Sequence, residues 1–524
     1  MRVIKKLITM KNLFTLVVAV LIAAATYGQD TQIDGQTTQN NVLTGERVQV
    51  GPYLYNFYED NTCELLDIVE TISGDIVLPS SVSYNGQDYK LTEINHDNDL
   101  GYGLVSDVTS LVIPEGVTKI ACYFRAFQHV KSITVPSSVT TLSYKAFLFA
   151  MSGGYLTDEE WRSSNDNTQI NNTYYDLERV DLLTDKLEFK SIDGVLFSQD
   201  GKTLLLCPRG RQGSYTVPDG VERLEAQSFR YCNKLTEVHM PASVKEIGDS
   251  PVEYNNGDWL FNNNIYPDVF SFCNQMKKIQ LPEVEYISNR TFRYCWGLED
   301  FVIPSTVKFI GADAFSYVPA LESIDWNNCQ LEGIASYAFI FAISGVDAFA
   351  VPHYTLSLPK HVKRIEAYAF SNCLAPESLI LSPDLEYLGR QFVHFYNENS
   401  NATTSERLAP VKAIYNYRPV PLDVPEDVFG MDRRRVDRKM VEEFPQTWAN
   451  ECILYVPAGS AEAYKAHSVW GKFQHIQELE TSAVKSVKDT RTATTWMHDL
   501  TGRAVAGNLK KGIYIVNGRK VVMR

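Results

Sequence analysis

The sequence lacks the residue patterns on which most enzyme chemistry is built. It has no Cys-x-x-Cys pair, no His-Glu-x-x-His and no phosphate-binding glycine loop, which removes the common zinc, redox and nucleotide motifs. Gly101-x-Gly103 is followed by Leu104 and Val105 rather than a third glycine, so it is no dinucleotide fingerprint. The nine histidines share no phase and have no partner at metal-ligand spacing. His96-Asp97-Asn98-Asp99 lacks the twelve-residue calcium-loop pattern and reads as a solvated turn. Asp158-Glu159-Glu160 reads as the start of a short surface helix with no second carboxylate placed opposite it. No metal and no cofactor is implied.

Long apolar runs are scarce too. Arg2, Lys5, Lys6 and Lys11 precede the run Leu13–Ala25, and small residues near Gly28 offer a cleavage site, so residues 1–28 read as a secretory signal peptide. About 13 apolar residues are too few to span a bilayer core of ~30 Å. No cysteine follows the run, which argues against a lipoprotein, and no later segment is predicted to span a membrane. Basic residues are outnumbered, 49 Lys and Arg against 63 Asp and Glu, for a net charge of −14. Loss of the leader's four basic residues would take this to −18. Such acidity disfavours nucleic acid as a partner.

What the chain does have is a period. Phe301-x-Ile303-Pro304 is followed by Val307, Ile310, Ala314 and Phe315; Ile279-x-Leu281-Pro282 is followed by Val284, Ile287, Thr291 and Phe292. The unit recurs after Pro114 (Val117, Ile120, Phe127), Pro136 (Val139, Leu142, Phe147), Pro218 (Val221, Leu224, Phe229) and Pro359 (Val362, Ile365, Phe370). Pro241 leads Val244 and Ile247, with its aromatic, Phe270, displaced by an insertion. Pro383 heads a weaker copy with Phe392, and the copy ending at Phe339 has lost its proline. Apolar residues two apart before each proline share one face of a strand. Proline cannot donate to a ladder, so its recurrence at one phase marks a shared corner. A unit of about 22–24 residues cannot close a core alone and must stack on its neighbours. The predicted fold is therefore a β-rich solenoid of short parallel strands with turn or helical corners, β-hairpin caps and a terminal hairpin.

The IPxxVxxI…AFxxC units resemble the leucine-rich repeats of the BspA-like surface proteins of Bacteroidetes and other bacteria. Ser191–Gly220 resembles the hairpin-bearing insert found among those repeats, and CILYVPAGSAEAYKAHSVWGKF resembles their closing segment. The resemblance covers roughly residues 75–477. It implies a leucine-rich-repeat solenoid, a cell-surface or secreted adhesive or binding role, and no catalytic residues to carry over. The C-terminal pattern DLTGR…GIYIVNGRKVV is similar to sorting modules of Bacteroidetes secreted proteins; a plain terminal hairpin, signalled by Asn517-Gly518, is the other reading.

The expected division is a signal peptide at 1–28, a polar flexible spacer at 29–47 and an N-terminal β cap at 48–105. The repeat solenoid follows at 106–410, a C-terminal cap at 411–479 and the hairpin or sorting-like segment at 480–524. Within the cap, Tyr53–Tyr58 and Cys63–Ile68 form a predicted hairpin and Asn85-Gly86 a tight turn. Ser460 is a predicted N-cap for a helix over Ala461–His467.

Two features bear on function. Cys232, Cys273, Cys295 and Cys373 each lie three residues after a corner phenylalanine. Equivalent phase predicts buried thiols behaving as small apolar residues, with neighbours such as Cys273 and Cys295 left open as a possible bridge. Four interruptions, about Leu148–Asp185, Asp249–Pro267, Phe341–Thr355 and Val393–Pro410, enter beside the Phe corner and carry aromatic residues among Asn and Asp. Tyr155, Trp161, Tyr174, Tyr175, Tyr254, Trp259, Tyr266, His353, Tyr354 and Tyr396 are the candidate ligand-binding residues. Per-repeat insertions often line the binding side of a solenoid, and such rings suit sugars or polar protein surfaces. The alternative is that they pack back onto the solenoid. The functional expectation is a non-catalytic binding or adhesion protein with an extracellular protein or glycan as partner. A glycan-acting enzyme with a site in the insertions, or a passive envelope component, are the alternatives.

Overall fold

The computed structural model describes residues 43–105, 107–124, 126–147, 176–248, 267–299, 301–318, 326, 329–342, 355–396, 411–436, 439–479, 497–499, 512–516 and 519–523. The leader, most of the spacer, the bulk of the four insertions and the Asp158–Glu160 segment lie outside these residues. Two compact units divide the chain, the first of residues 1–346 with 367–373 and the second of residues 347–366 with 374–524.

The first unit opens with a six-stranded sheet. Leu43–Val50, Tyr53–Tyr58 and Thr62–Ile68 run antiparallel; Gln87–Asp99 then lies parallel to Thr62–Ile68 and is flanked by Ser81–Tyr84. Asn85 and Gly86 both take positive φ, 52° and 81°, as the tight turn between those last two strands requires. Register shifts and Arg47 at φ 48° disrupt the outermost strand, Leu43–Val50, which blunts an edge that would otherwise template pairing. Lys119–Tyr123 joins the sheet in parallel and so leads into the coils.

Beyond the cap the strands are short and mostly parallel. Gly74–Val77, Val108–Val112, Ser132–Val135 and Arg179–Leu182 form one sheet, and Gly213–Thr216, Leu235–His239 and Lys278–Gln280 another. The Val-x-x-Ile segments pair in the same sense, as in Arg223–Leu224 with Glu246–Ile247 and Tyr286–Ile287 with Phe309–Ile310. The insert resembling the family's hairpin is one: Phe189–Ile192 and Val195–Ser198 run antiparallel around Asp193-Gly194. A β-rich solenoid is therefore the fold, and its repeating apolar positions are buried as expected.

The corners carry the order. Phe229, Phe270, Phe292, Phe315, Phe339 and Phe370 stack in one file, with centroids 4.9, 5.6, 5.3, 5.2 and 5.0 Å apart. Phe270 takes its place despite the insertion before it. In each of these six coils the residues two before and two after the phenylalanine have positive φ, for example Arg290 and Tyr294, Asp313 and Tyr317. That alternation turns every second N–H toward the next coil: Arg290, Phe292 and Tyr294 donate to the carbonyls of Ala312, Ala314 and Ser316 at 2.9, 2.8 and 3.0 Å. The left-handed conformation costs a side-chain-bearing residue roughly 1–2 kcal/mol; the inter-coil bonds and ring contacts offset it.

All nine cysteines are buried thiols. The phase-matched ones also do a specific job. Cys273, Cys295 and Cys373 donate to the carbonyls of Phe229, Phe270 and Phe339 in the preceding coil, at 3.1, 3.1 and 3.0 Å. Burial pushes the Cys295 thiol up to about 12 and the Cys273 thiol well above its usual value.

A pattern the sequence reading missed sits one residue after the inward valine or leucine in the coils from Val221 onward, whereas the two earlier coils carry Thr118 and Thr140 there. Glu222, Lys245, Glu285, Lys308 and Glu332 alternate in sign from coil to coil of the first unit. Lys308 Nζ lies 3.2 Å from Glu285, and Glu222 lies 2.8 Å from Lys202 of the hairpin insert. Lys363 and Glu386 repeat the alternation in the second unit.

That unit holds a five-stranded parallel sheet ordered Thr355–Ser357, Ser378–Ile380, Ala413–Tyr415, Ile453–Val456, His475–Glu478. Phe429 is its last corner, packed against Trp448, Trp470 and Phe473 at 5.0, 5.4 and 5.5 Å. The predicted helix runs Ala461–Ala466, but the Ser460 hydroxyl makes no capping bond. The Glu478 carboxylate accepts from the Ala461 N–H instead, at 3.1 Å, since the adjacent strand delivers a stronger acceptor to the same place. Gly512–Val516 and Arg519–Met523 pair around Asn517-Gly518 as that dipeptide predicts, and Met497–Asp499 adds a third strand. Among the described residues no helix is long and apolar enough to cross a membrane.

Candidate ligand-binding face

Nine of the ten residues proposed from sequence, Tyr155, Trp161, Tyr174, Tyr175, Tyr254, Trp259, Tyr266, His353 and Tyr354, lie outside the described residues. Tyr396 ends the strand Val393–Tyr396, which follows the corner at Phe392.

Two aromatic arrangements emerge that the sequence reading did not single out. The first is a file at the corners of the first unit: Tyr231, Phe272, Tyr294, Tyr317 and Phe341, with centroids 4.6, 4.7, 4.4 and 4.8 Å apart and planes within 22° of parallel. The guanidinium groups of Arg230 and Arg293 sit over Tyr231 and Tyr294 at 5.1 and 5.0 Å. Rings stacked this way cover each other's faces, so the file presents edges outward. A sugar or apolar group stacks on a face, not an edge, and the file is accordingly a strut between coils. Trp296 is the exception beside it: it meets Tyr294 edge-on at 6.2 Å and is 43% exposed.

The second arrangement lies on the five-stranded sheet of the second unit. Side chains alternate along each strand, so Leu356, Leu379, Ile414 and Leu454 point inward and are buried. Their neighbours point outward, and pairing aligns them into rows. One row reads Ser357, Ile380, Tyr415, Tyr455, Gln477, the other Thr355, Ser378, Ala413, Ile453, His475. Tyr417 lies two residues beyond Tyr415, past the end of the strand. The centre of this face is thus Ile380, Tyr415, Ile453 and Tyr455, half-buried side chains with small polar or amide groups at either end. Tyr415 and Tyr455 stand parallel at 4.8 Å. Burial pushes the Tyr415 and Tyr417 phenols above their usual value, so both hydroxyls stay protonated through neutral and mildly alkaline pH. The face offers phenol hydroxyls that donate and accept, ring edges and two branched aliphatic side chains. Its sequence signal was legible in principle: Ala413-x-Tyr415-x-Tyr417 and Ile453-x-Tyr455 put large rings where Thr355-x-Ser357 has small polar groups.

Among the described residues no group of three or more His, Cys, Asp or Glu is placed to hold a metal ion.

A solenoid of short parallel strands, proline corners and stacked phenylalanines defines a leucine-rich-repeat protein. The BspA type leucine rich repeat region matches residues 102–195, 211–257, 263–344 and 347–417 in six copies, more than half of the chain. The chain belongs to this BspA-type family. No curated protein matches it significantly. Similar solved structures include a leucine-rich repeat protein from Bacteroides ovatus, 16% identical, with 71% of this chain and 94% of that one covered at a TM-score of 0.30. A leucine rich cell surface protein from Faecalibacterium prausnitzii is 15% identical, with 63% and 95% covered at a TM-score of 0.26. The pneumococcal vaccine antigen PcpA is 14% identical, with 84% and 100% covered at a TM-score of 0.29.

Proposed function

We propose that the chain is a secreted or surface-displayed, non-catalytic binding protein that recognises an extracellular protein or glycan. Membership of a family of surface repeat proteins supports the location and the class of role. The observation that carries the binding reading is the outward row of Ile380, Tyr415 and Tyr455, with Ile453 beside it, on a sheet face whose ends are polar. Tyrosine supplies large contact area and a polar tip at low conformational cost, which is why it is enriched where proteins meet ligands. Residues 1–28 act as the export signal, residues 29–42 as a spacer, since the strand Leu43–Val50 takes the last five positions assigned to it, and residues 480–524 as a sorting segment of the kind used by Bacteroidetes. The aromatic residues of the insertions, Trp161, Trp259 and Tyr354 among them, add contacts to the same ligand or to a second one.

The test is a glycan and extracellular-matrix protein array probed with the chain lacking residues 1–28. Binding to a defined ligand that falls at least tenfold in Y415A/Y455A, with the melting temperature retained, is the expected result. A ligand bound equally well by Y415A/Y455A and by the combined W161A/W259A/Y354A variant would refute the assignment of the face and of the insertions alike.

A further inference from the structure

The coil that links the two tyrosine-bearing strands, Ala413–Tyr415 and Ile453–Val456, contains a β-hairpin that none of the foregoing explains. Asp432–Val436 and Lys439–Glu443 pair antiparallel and, among the described residues, with no other strand. The hairpin leaves the core at Phe429 and Gly430, the latter at φ 86°, and returns at Phe444. Phe444 packs edge-on to Phe429 and Phe473, at 6.1 and 5.5 Å. Both feet are therefore anchored in the C-terminal core. The strands themselves contribute nothing to the five-stranded sheet.

The charge along this hairpin is graded. At the feet Asp432 pairs with Glu443 and Arg433 with Glu442; further out Arg434 faces Val441, Arg435 faces Met440 and Val436 faces Lys439. Past the second pair every charged residue of the two strands is a cation. With the connecting Asp437 and Arg438, the outer part of the hairpin carries Arg434, Arg435, Arg438 and Lys439 against one acid, Asp437, in a chain whose net charge is −14. A concentrated cationic end on an acidic protein confines any anionic partner to that end, because the rest of the surface repels it. Arginine's planar fork matches sulfate, carboxylate and phosphate oxygens two at a time.

We propose that this hairpin is a docking site for an acidic polysaccharide, a linear polymer carrying sulfate or carboxylate groups. Single-stranded nucleic acid is the less suitable polyanion, since its binding depends on aromatic rings that stack on bases, and residues 432–443 contain none. Duplex nucleic acid spreads its charge over a long rod, most of which would meet acidic surface. The hairpin pairs separately from the sheet that carries the tyrosine face and does not depend on that face.

The test passes the full chain without residues 1–28 over immobilised heparin, chondroitin sulfate, hyaluronan, unsulfated dextran and a DNA duplex. Retention on at least one sulfated or carboxylated polymer, eluted by salt and absent on dextran, is expected. R433Q/R434Q/R435Q should weaken that retention by about tenfold or more and flatten its salt dependence. R433K/R434K/R435K should keep the salt dependence, and Y415A/Y455A should bind as the parent does. No retention on any acidic polysaccharide, equal retention by the glutamine variant at an unchanged melting temperature, or tighter binding to DNA than to heparin would each overturn the proposal.

Discussion

Phe315 sits at the middle of the corner file, and its loss is the sharpest test of how the coils hold together. The ring is fully buried. It stacks on Phe292 and Phe339 at 5.3 and 5.2 Å and takes Phe301 edge-on at 5.1 Å. Truncating a buried phenylalanine to alanine costs about 3–5 kcal/mol through lost transfer energy and the cavity left behind. Aromatic pairs add ~0.5–1.5 kcal/mol each beyond their area, so F315A belongs at the upper end, about 4–5 kcal/mol. Phe147, at an earlier corner outside that file, is equally buried but stacks on one described ring, Phe124 at 5.5 Å rather than the Phe127 expected for that coil, so F147A should cost about 3 kcal/mol. F315L keeps most of the apolar volume and loses the ring contacts, which places it near 2 kcal/mol. Repeat arrays open locally, so a single unfolding midpoint does not show which coils have loosened. Hydrogen exchange of the corner amides does: Phe292, Tyr294, Phe315 and Tyr317 all donate between coils. In F315A their protection should collapse while the cap strands keep theirs. A loss below about 1.5 kcal/mol in F315A, or equal losses in the alanine and leucine variants, would show that the file is not what binds coil to coil.

Alkaline pH should weaken the fold through its thiols. Cys63, Cys295 and Cys452 are pushed by burial from 9.0 to about 12. The folded state keeps these protons while the unfolded chain releases them, so their contribution is complete below pH 9 and is lost between 9 and 12. The loss per thiol is up to about 1.4 kcal/mol per pH unit. Denaturation midpoints should fall above pH 9, less steeply in C295A, and a flat profile to pH 11 would contradict the burial. The Asp193-Gly194 turn supplies a paired test of backbone constraint. A Cβ on Gly194, at φ 78°, would meet Arg179 Cβ at 2.3 Å, whereas one on Gly213, at φ 76°, meets nothing within 4 Å. G194A should therefore lower the melting temperature well beyond G213A, whose cost is conformational and about 1 kcal/mol; equal shifts would mean the turn moves away from Arg179.

Much of the architecture was readable because apolar side chains, proline and phenylalanine each report on one geometric demand. Val307 and Ile310 had to face inward, Pro304 had to avoid a ladder donor, and Phe315 had to fill the corner. The Asn85-Gly86 turn was legible for a similar reason: few residues tolerate positive φ in a two-residue loop. The left-handed corner positions were not. Tyr294 and Tyr317 occupy a conformation that local propensity assigns to glycine or asparagine, and only the bonds to the next coil explain it. The outward tyrosines were missed because their meaning depends on which strands become neighbours: Tyr415 and Tyr455 are forty residues apart and meet only through the register of parallel strands. Ser460 misled in the opposite direction, since a good local capping residue lost its place to Glu478 of the strand that follows the helix.

Stacking similar coils raises a difficulty that apolar files cannot resolve. Valine, isoleucine and phenylalanine recur at every coil, so a coil paired with its next-but-one neighbour would bury nearly the same surface, and register is weakly specified when the alternatives look alike. The alternating file of Glu222, Lys245, Glu285, Lys308 and Glu332 breaks that degeneracy. Each coil meets the opposite sign in its true neighbour and its own sign one coil further on. Any one pair contributes little, because Lys308 and Glu285 are both substantially exposed and exposed pairs are worth at most about 1 kcal/mol. The discrimination is the difference between attraction and repulsion, and it is repeated at each step of the file. Hydrophobic and aromatic contacts thus decide that the coils stack, and a weak ladder of charge decides in which order.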